Sequence, residues 1–392
     1  MQPSKLINSL DAPATFEMAR RSAELQARGI DVINLSMGEP DFPTPDYIKL
    51  AAKEAIDHGY TKYSPVAGYV SLKTAIACKL QRENDLTYTP DEIIVSNGAK
   101  QSICNAILAL VDPGDEVIIP APYWVSYPQM VKLTGATPKT INTTNFKLTP
   151  AQLEAAITTK TRLIILNSPN NPSGAVYSAE ELEALANVIK QYNILVLSDE
   201  IYEHINYTGS HESIAQFEGM KERTIIINGV SKAYAMTGWR IGYMAAPEWI
   251  VKGCNKLQGQ YTSGPCSVSQ KAAEAAYTQS QACVEQMRQA FQRRRDLIVA
   301  LTKDIPGLEV NNPQGAFYLF PKCSNFFGKS HGGKTISNST ELALYLLEEA
   351  HVATVGGDAF GDPECFRMSY ATSDDNIREA MRRISQALMQ LR

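Results

Sequence analysis

Short apolar runs alternate with longer segments of helical periodicity between residues 93 and 245. Runs of this length are typical of strands that are buried on both faces of a parallel sheet. The alternation therefore predicts an α/β fold in which helices cover both faces of a largely parallel sheet. The predicted strands are residues 93–95, 117–119, 163–166, 194–197, 224–227 and 241–245.

Two helix boundaries are marked by local sequence. Thr44 and Pro45 suit the N-cap and first turn of a helix that ends at Gly59. Ser178 and Glu181 have the spacing of a capping box, in which each side chain satisfies a backbone N–H at the start of a helix. Both signals lie inside the α/β region and support its predicted helices.

The pattern changes after about residue 270. One long helical stretch runs to about residue 303, and an apolar run follows at 316–320. A polar loop at 327–339 then leads to two further helices, the last beginning near Asp374. This part of the chain predicts a second, smaller α+β domain.

The composition is that of an ordinary soluble protein with two domains. The 392 residues include 37 basic and 41 acidic ones, and the net charge of −4 argues against nucleic-acid binding. We see no signal peptide and no apolar stretch long enough to span a membrane. The seven cysteines are scattered without a CxxC pair, so we expect a cytoplasmic protein without disulfides or a metal site.

The candidate chemistry centres on the segment SKAYAMTGWR, residues 231–240. It follows the predicted strand 224–227, which places Lys232 at the carboxyl end of a strand, where open α/β sheets bind their ligands. A lysine can form an imine with an aldehyde cofactor, while Ser231 and Arg240 hold the phosphate of that cofactor. The segment therefore predicts a site for an aldehyde cofactor with a phosphate group.

A phosphate cradle is predicted after the strand at 93–95. Gly98, Ala99 and Lys100 lie between that strand and a helical pattern. Free backbone N–H groups and the helix dipole attract anions at such a position. The cofactor phosphate is the anion that we expect there.

Two other strands end in polar residues suited to a pyridine ring. Asp199 directly follows a fully apolar strand, so it is expected to be buried and to need a cation such as a pyridinium N–H. This pairing would keep the ring nitrogen protonated, and Tyr202 could reach the phenolic oxygen of the ring. The turn NSPNNPSG at 167–174 offers asparagines for the same oxygen.

These motifs together resemble one enzyme family. SKxYxMTGWR resembles the Schiff-base segment of the fold-type-I pyridoxal-phosphate (PLP) aminotransferases, and the phosphate loop, Trp124, NNP, DExY, SK and Arg240 follow in the order of that family. The resemblance covers essentially the whole chain and is closest to the bacterial aspartate aminotransferases of subgroup I-beta. It implies a large PLP-binding domain over 46–280 and a small domain formed by 1–45 and 281–392.

The resemblance implies a cofactor role for each matching residue. Lys232 is the Schiff-base lysine and proton shuttle, and Asp199 binds the pyridine nitrogen. Asn171 and Tyr202 donate to the phenolic oxygen, and Trp124 stacks on the ring. The implied catalytic residues are Lys232, Asp199 and Tyr202. The implied cofactor-binding residues are Gly98, Ala99, Lys100, Trp124, Asn171, Asp199, Tyr202, Ser231, Lys232, Arg240 and Tyr63.

Substrate contacts are implied in the same way. Arg367 in FRMSYATS matches the arginine that clamps the substrate α-carboxylate, a bidentate task that suits a guanidinium. Lys100 matches the lysine that contacts the distal carboxylate of aspartate and glutamate, and Thr15 is either a substrate contact or an ordinary helix start. The implied substrate-binding residues are Gly38, Lys100, Trp124, Asn171, Arg367 and Thr15.

The resemblance also implies an assembly and a reaction. Tyr63 matches a tyrosine that reaches the phosphate of the neighbouring subunit, so a homodimer with shared sites is expected. The reaction is a ping-pong transamination between aspartate and 2-oxoglutarate, with amino acids and 2-oxo acids as the small-molecule partners.

Three alternatives remain. Some members of the subgroup act on prephenate, but these tend to carry a basic residue where this chain has Asp11. A PLP-dependent C–S lyase shares many of the motifs, although Lys100 is not expected there. A regulator of this fold would carry an N-terminal DNA-binding module, which we do not expect in this chain.

Overall fold

The computed structural model describes residues 2–392, which contain thirteen α-helices and fourteen strands. The helices are α1 (Lys5–Asn8), α2 (Ala14–Ala27), α3 (Asp46–Asp57), α4 (Val70–Asn84), α5 (Ala99–Leu110), α6 (Tyr127–Lys132), α7 (Pro150–Ala156), α8 (Ala179–Ile189), α9 (Glu248–Tyr261), α10 (Ser267–Thr278), α11 (Ala282–Lys303), α12 (Ser339–Glu349) and α13 (Asp374–Leu388). Within the same residues, no helix is long and apolar enough to cross a membrane.

The strands have two to seven residues each and together bury most of their residues. They are β1 (Ile33–Asn34), β2 (Ile93–Ser96), β3 (Glu116–Ala121), β4 (Thr137–Asn142), β5 (Thr161–Asn167), β6 (Leu195–Asp199), β7 (Thr224–Gly229), β8 (Gly242–Ala245), β9 (Tyr318–Leu319), β10 (Ser330–His331), β11 (Lys334–Thr335), β12 (Val352–Ala353), β13 (Val355–Gly356) and β14 (Phe366–Ser369).

The central sheet has the strand order β2-β8-β7-β6-β5-β3-β4. The five strands from β7 to β4 in that order are mutually parallel, whereas β8 is antiparallel to both of its neighbours. The predicted α/β fold with a mostly parallel sheet is therefore confirmed. Because parallel strands end at the same edge, the loops after β5, β6 and β7 meet there.

Three details of the sequence prediction were wrong. Strand β4 was missed, since this edge strand is half-exposed and has no continuous apolar run. The predicted helix at about 270–303 is two helices, separated by a break at 279–281. Thr44 does not cap α3, because its hydroxyl donates to the Ala235 carbonyl at 2.7 Å and accepts from Trp239 Nε1 at 3.0 Å. The capping box of Ser178 and Glu181 is present at the start of α8.

The C-terminal part of the chain has a sheet and a hydrophobic core of its own. Strands β13, β14 and β9 form a small sheet that shares a hydrophobic core with α11, α12 and α13. The N-terminal segment joins this part, since β1 pairs in parallel with β12 through Ile33 and Val352. This pairing agrees with a small domain formed by 1–45 and 281–392, and those boundaries stay a prediction.

Candidate active site

A cavity of about 510 Å³ lies at the edge of the sheet where β5, β6 and β7 end. Gly98 adjoins it, since a Cβ atom at that position would collide with the Arg240 guanidinium. The predicted site residues that line the cavity are Thr15, Gly38, Ala99, Lys100, Trp124, Asn171, Asp199, Tyr202, Ser231, Lys232, Arg240 and Arg367.

Tyr63 is the predicted residue that the chain places away from this cavity. Its side chain is 100% exposed in the single chain. A tyrosine this exposed contributes nothing to the core of its own subunit, so its contacts would have to come from another molecule.

Lys232 lines the cavity and is partly buried, three residues after the end of β7. Its Nζ atom donates a 2.5 Å hydrogen bond to the Gly38 carbonyl. Burial lowers the pKa of the ammonium to about 8, with further lowering by the charges of Arg367 and Arg240. A lysine with this pKa is a nucleophile and base near neutral pH, which an ordinary surface lysine is not.

Asp199 is the last residue of β6 and is buried. The Tyr127 hydroxyl donates a 2.5 Å hydrogen bond to Oδ2, and the Ile201 backbone N–H donates to Oδ1 at 3.3 Å. Burial nevertheless raises the pKa of the carboxyl group to about 6. No cationic side chain within residues 2–392 forms an ion pair with it.

Arg367 lies on β14 and is only 2% exposed. Its Nη1 donates to Asn171 Oδ1 at 2.9 Å and its Nη2 to the Ser36 carbonyl at 2.6 Å. The guanidinium also lies 4.5 Å from the centre of the Tyr318 ring. Its Nε atom has no hydrogen-bond partner in the described chain, and burial lowers its pKa. A buried cation with only neutral partners is a site for an anion.

The residues of the predicted phosphate cradle lie at the start of α5. Gly98 has a φ of 81°, a conformation that favours glycine, and it directly precedes the helix. Arg240 reaches this loop, since its Nη1 donates to the Thr237 carbonyl at 2.9 Å and its Nη2 to the Asn97 carbonyl at 3.3 Å. The first N–H groups of α5 and the guanidinium therefore face the same anion position.

Lys100 follows this cradle and projects into the cavity. Its Nζ lies 4.8 Å from the centre of the Trp124 ring and 5.8 Å from that of Phe16. Burial, and then the charge of Arg240, lower the pKa of its ammonium. Lys100 has no carboxylate partner within residues 2–392. After Arg367, it is therefore the second cation of the cavity that lacks an anion.

Two tyrosines of the site escaped the sequence prediction. Tyr318 on β9 lies 2.7 Å from Tyr202, hydroxyl to hydroxyl, and a Cβ atom at Gly38 would collide with it. Tyr127 holds Asp199, and its signal was present in the segment PYWVSYP, three residues after Trp124. The other prediction in this region, that Thr15 lies at a helix start, agrees with α2 beginning at Ala14.

Known proteins with similar sequences are aminotransferases. The family described as aminotransferase class I and II matches residues 30–384. The aspartate/prephenate aminotransferase of Cereibacter sphaeroides is 50% identical over 377 residues, which are 94% of each protein. The bifunctional aspartate aminotransferase and glutamate/aspartate-prephenate aminotransferase of Petunia hybrida is 48% identical over 398 residues, 99% of this chain and 83% of that protein.

Solved structures of related proteins have the same fold. The aspartate aminotransferase of Rhizobium meliloti superposes with a TM-score of 0.96 at 46% identity, over 100% of both chains. The aspartate aminotransferase of Thermus thermophilus, solved with maleate, gives a TM-score of 0.93 at 40% identity over 99% of this chain and 100% of the other.

Proposed function

This chain belongs to the aminotransferase class I and II family and is an aminotransferase; we propose that it transfers the amino group of aspartate to 2-oxoglutarate in a ping-pong reaction, with pyridoxal 5'-phosphate as its cofactor. One observation carries the choice of substrate. Two cations without a carboxylate partner in the described chain, the buried Arg367 and the more exposed Lys100, face the cavity that contains Lys232. A dicarboxylic amino acid supplies one carboxylate for each.

The donors of the cavity fit pyridoxal phosphate. Asp199 is a buried carboxylate without a cationic partner in residues 2–392, so a pyridinium N–H would satisfy it. Ser231, Arg240 and the start of α5 at Ala99 would hold the phosphate. Trp124 would pack on the ring, and Asn171 and Tyr202 would donate to its phenolic oxygen. When bound, the cofactor supplies an electron sink for the negative charge that develops at the substrate α-carbon.

Lys232 has two tasks in this proposal. Its Nζ would hold the aldehyde carbon of the cofactor until the amino group of the substrate displaces it. The freed amine would then move the proton from the substrate α-carbon, and its lowered pKa of about 8 suits a base near neutral pH.

Arg367 and Lys100 would orient the substrate. The guanidinium of Arg367 would bind the α-carboxylate in a bidentate manner, and its Nε has no other partner in the described residues. Lys100 would bind the distal carboxylate beside Trp124 and Phe16. Two fixed contacts place the α-hydrogen relative to Lys232, which lowers the entropic part of the barrier.

The assembly that we propose is a cytoplasmic homodimer, each subunit with a large domain over 46–280. The full exposure of Tyr63 supports it, since the hydroxyl is free to reach the phosphate at the site of a second subunit. The free state of the seven cysteines in the described chain supports a reducing compartment.

Prephenate is a second acceptor that the printed names of relatives favour. The Cereibacter sphaeroides relative is named an aspartate/prephenate aminotransferase. Asp11 weighs against prephenate, because prephenate-active members tend to carry a basic residue there. Its carboxylate accepts a 2.9 Å hydrogen bond from Gln129 Nε2 and lies 3.4 Å from Lys132 Nζ. Because both partners belong to α6, the acidic side chain is engaged outside the cavity lining.

A panel of half-reactions tests the substrate. The purified enzyme with its cofactor is mixed with aspartate, glutamate, alanine, phenylalanine or arogenate, and the cofactor spectrum is followed. We expect rapid conversion to the aminated cofactor with aspartate and glutamate and slow conversion with alanine and phenylalanine. Arogenate faster than aspartate would make prephenate the preferred acceptor, and ammonia release without a second oxo acid would indicate a lyase.

A further inference from the structure

A buried ionic cluster lies behind Asp199, on the side of β6 that faces away from the cavity. Successive side chains of a strand point to opposite sides, so Ser198 and Glu200 point away from the site that Asp199 lines. Glu200 is 1% exposed. The hydroxyls of Ser198 and Ser213 donate to its Oε1 at 2.8 and 2.6 Å.

His211 faces the other oxygen of this carboxylate. Its Nε2 lies 3.1 Å from Glu200 Oε2, and the ring is buried. Neither ring nitrogen makes a well-directed hydrogen bond within residues 2–392. The contact between His211 and Glu200 is therefore an electrostatic contact and not a well-directed hydrogen bond.

The cluster continues to Glu203, four residues after Asp199. Glu203 forms an ion pair with the fully buried Lys79, and Asn84 Nδ2 donates to its Oε2 at 2.9 Å. Coulombic attraction by Lys79 and the nearby histidines holds the pKa of Glu203 below its usual range although burial opposes this. The charged groups around His211 are thus Glu200, Glu203 and Lys79. Glu83 and His204 extend the cluster, since Glu83 lies 3.6 Å from Lys79 Nζ and His204 Nδ1 lies 3.5 Å from Glu203 Oε1.

A proton on His211 reduces the excess of carboxylates in this cluster. Glu200, Glu203 and Glu83 contribute three negative charges and Lys79 one positive charge, so an imidazolium at His211 offsets one of the two excess negative charges. His204, between Glu83 and Glu203, is placed to offset the other. Buried charges need compensation, which favours a proton on His211. In agreement, Glu200 and then Glu203 raise the pKa of His211, although burial opposes them.

We propose that His211 is a positioning residue for Asp199: its imidazolium cancels the charge of Glu200, which would otherwise act on the adjacent carboxylate. Asp199 faces Tyr127, Tyr202 and Lys232 within the cavity, and Glu200 is the carboxylate next to it on the chain. Burial, and to a smaller extent the charge of Glu200, disfavour ionisation of Asp199 and raise its pKa to about 6. Without the imidazolium of His211, the charge of Glu200 would act uncompensated and raise the pKa of Asp199 further.

The functional meaning of this inference rests on the proposed function, because a protonated Asp199 cannot keep a pyridinium charged. The titration itself does not require a cofactor. It is measured on the full-length chain after removal of the cofactor, by carbon-13 NMR of the aspartate carboxyl groups. The Asp199→Asn variant identifies the resonance. A failed titration result and a failed transamination are therefore separate outcomes.

Three variants test the charge. His211→Gln should shift the Asp199 titration to higher pH by about tenfold in proton affinity, as one uncompensated charge in a protein interior does. His211→Lys keeps a positive charge, so it should leave the titration within about twofold of the parent, well inside that shift. The double variant Glu200→Gln/His211→Gln removes both charges, so it should also titrate within about twofold of the parent.

Two results would overturn the proposal: an unchanged titration in His211→Gln, or equal shifts in the Gln and Lys variants, which indicate a packing role only. If His211→Gln does not fold, the double variant and His211→Lys carry the test, because either one titrating about tenfold away from the parent contradicts the charge account. With cofactor bound, the acid limb of the kcat–pH profile should move in the same direction in His211→Gln and stay in place in His211→Lys.

Discussion

The Tyr127 hydroxyl donates a 2.5 Å hydrogen bond to Oδ2 of Asp199, and both side chains are buried. Tyr127 begins α6, and its ring meets Trp124 edge to face with the ring centres 5.3 Å apart. One short segment therefore positions both the aromatic wall of the cavity and its buried carboxylate. This bond favours the ionised form of Asp199 against the effect of burial.

Tyr127→Phe removes this bond and keeps the ring. A hydrogen bond to a charged group contributes about 1.5–3 kcal/mol, so kcat with aspartate should fall about ten- to a hundredfold. The pKa of Asp199 should rise, since its strongest opposing contact is lost. Tyr123→Phe is the matched control, because Tyr123 is a nearby half-buried tyrosine of the same segment without a bond to Asp199. Equal kcat values for the two variants would contradict the assignment.

Lys100→Ala tests the choice of a dicarboxylic substrate. Loss of one partner of a charge pair that the bound substrate would cover costs ~2–5 kcal/mol, so kcat/KM for aspartate and glutamate should fall at least tens-fold. Alanine and phenylalanine have no distal carboxylate and should change little. Lys132→Ala is the control, since this lysine is tied to Asp11 outside the cavity. Equal losses for all four amino acids, with weaker cofactor retention, would make Lys100 a phosphate ligand instead.

The proposed shared site can be tested with mixed dimers. A Tyr63→Phe subunit joined to a Lys232→Ala subunit has one site with both residues intact and one with neither. Because the intact site combines Lys232 of one subunit with the partner's Tyr63, the hybrid should recover much of the activity that each parent has lost. Hybrids no more active than the Tyr63→Phe parent would place Tyr63 outside the site.

Asp199 should destabilise the cofactor-free chain at neutral pH. Its folded-state pKa of about 6 lies above the ordinary 3.8, so the folded state binds the proton more tightly. The resulting loss in the free energy of unfolding is absent below the ordinary pKa, grows as the pH rises and is complete above the raised pKa. The difference of about 2.2 units (6 − 3.8) corresponds to ~3 kcal/mol at most.

Urea unfolding of Asp199→Asn measures this cost. The variant should be more stable than the parent above about pH 6, and its advantage should shrink towards acid pH. Asp304→Asn, at an exposed position after α11, should show no such trend. A constant stability difference at every pH would mean that the ionisation of Asp199 carries no such cost.

The sequence could predict those parts of the site that local pattern determines. Strands β2, β5, β6 and β7 are continuous apolar runs, and residues at or near their carboxyl ends, such as Asp199 and Lys232, line the cavity. Strand β4 was missed because an edge strand with one exposed side has no such run. The break between α10 and α11 lacks glycine and proline, so helical periodicity alone did not reveal it.

Residues that reach the site through tertiary packing could not be predicted. Tyr127 and Asp199 are 72 residues apart, and their contact depends on the strand order β3-β5-β6. His211 lies in a loop with no local signal, and only the fold brings it to Glu200. The direction of β8 and the position of Thr44 against the Lys232 loop are likewise set by packing.

The central claim is that this chain moves the amino group of aspartate to an oxo acid through Lys232. The direct measurement uses nitrogen-15 aspartate with the purified enzyme, first alone and then with 2-oxoglutarate. We predict one oxaloacetate per site in the first stage, nitrogen-15 glutamate in the second, and neither product from Lys232→Ala. Free nitrogen-15 ammonia in place of glutamate, or transfer that persists in Lys232→Ala, would contradict the account.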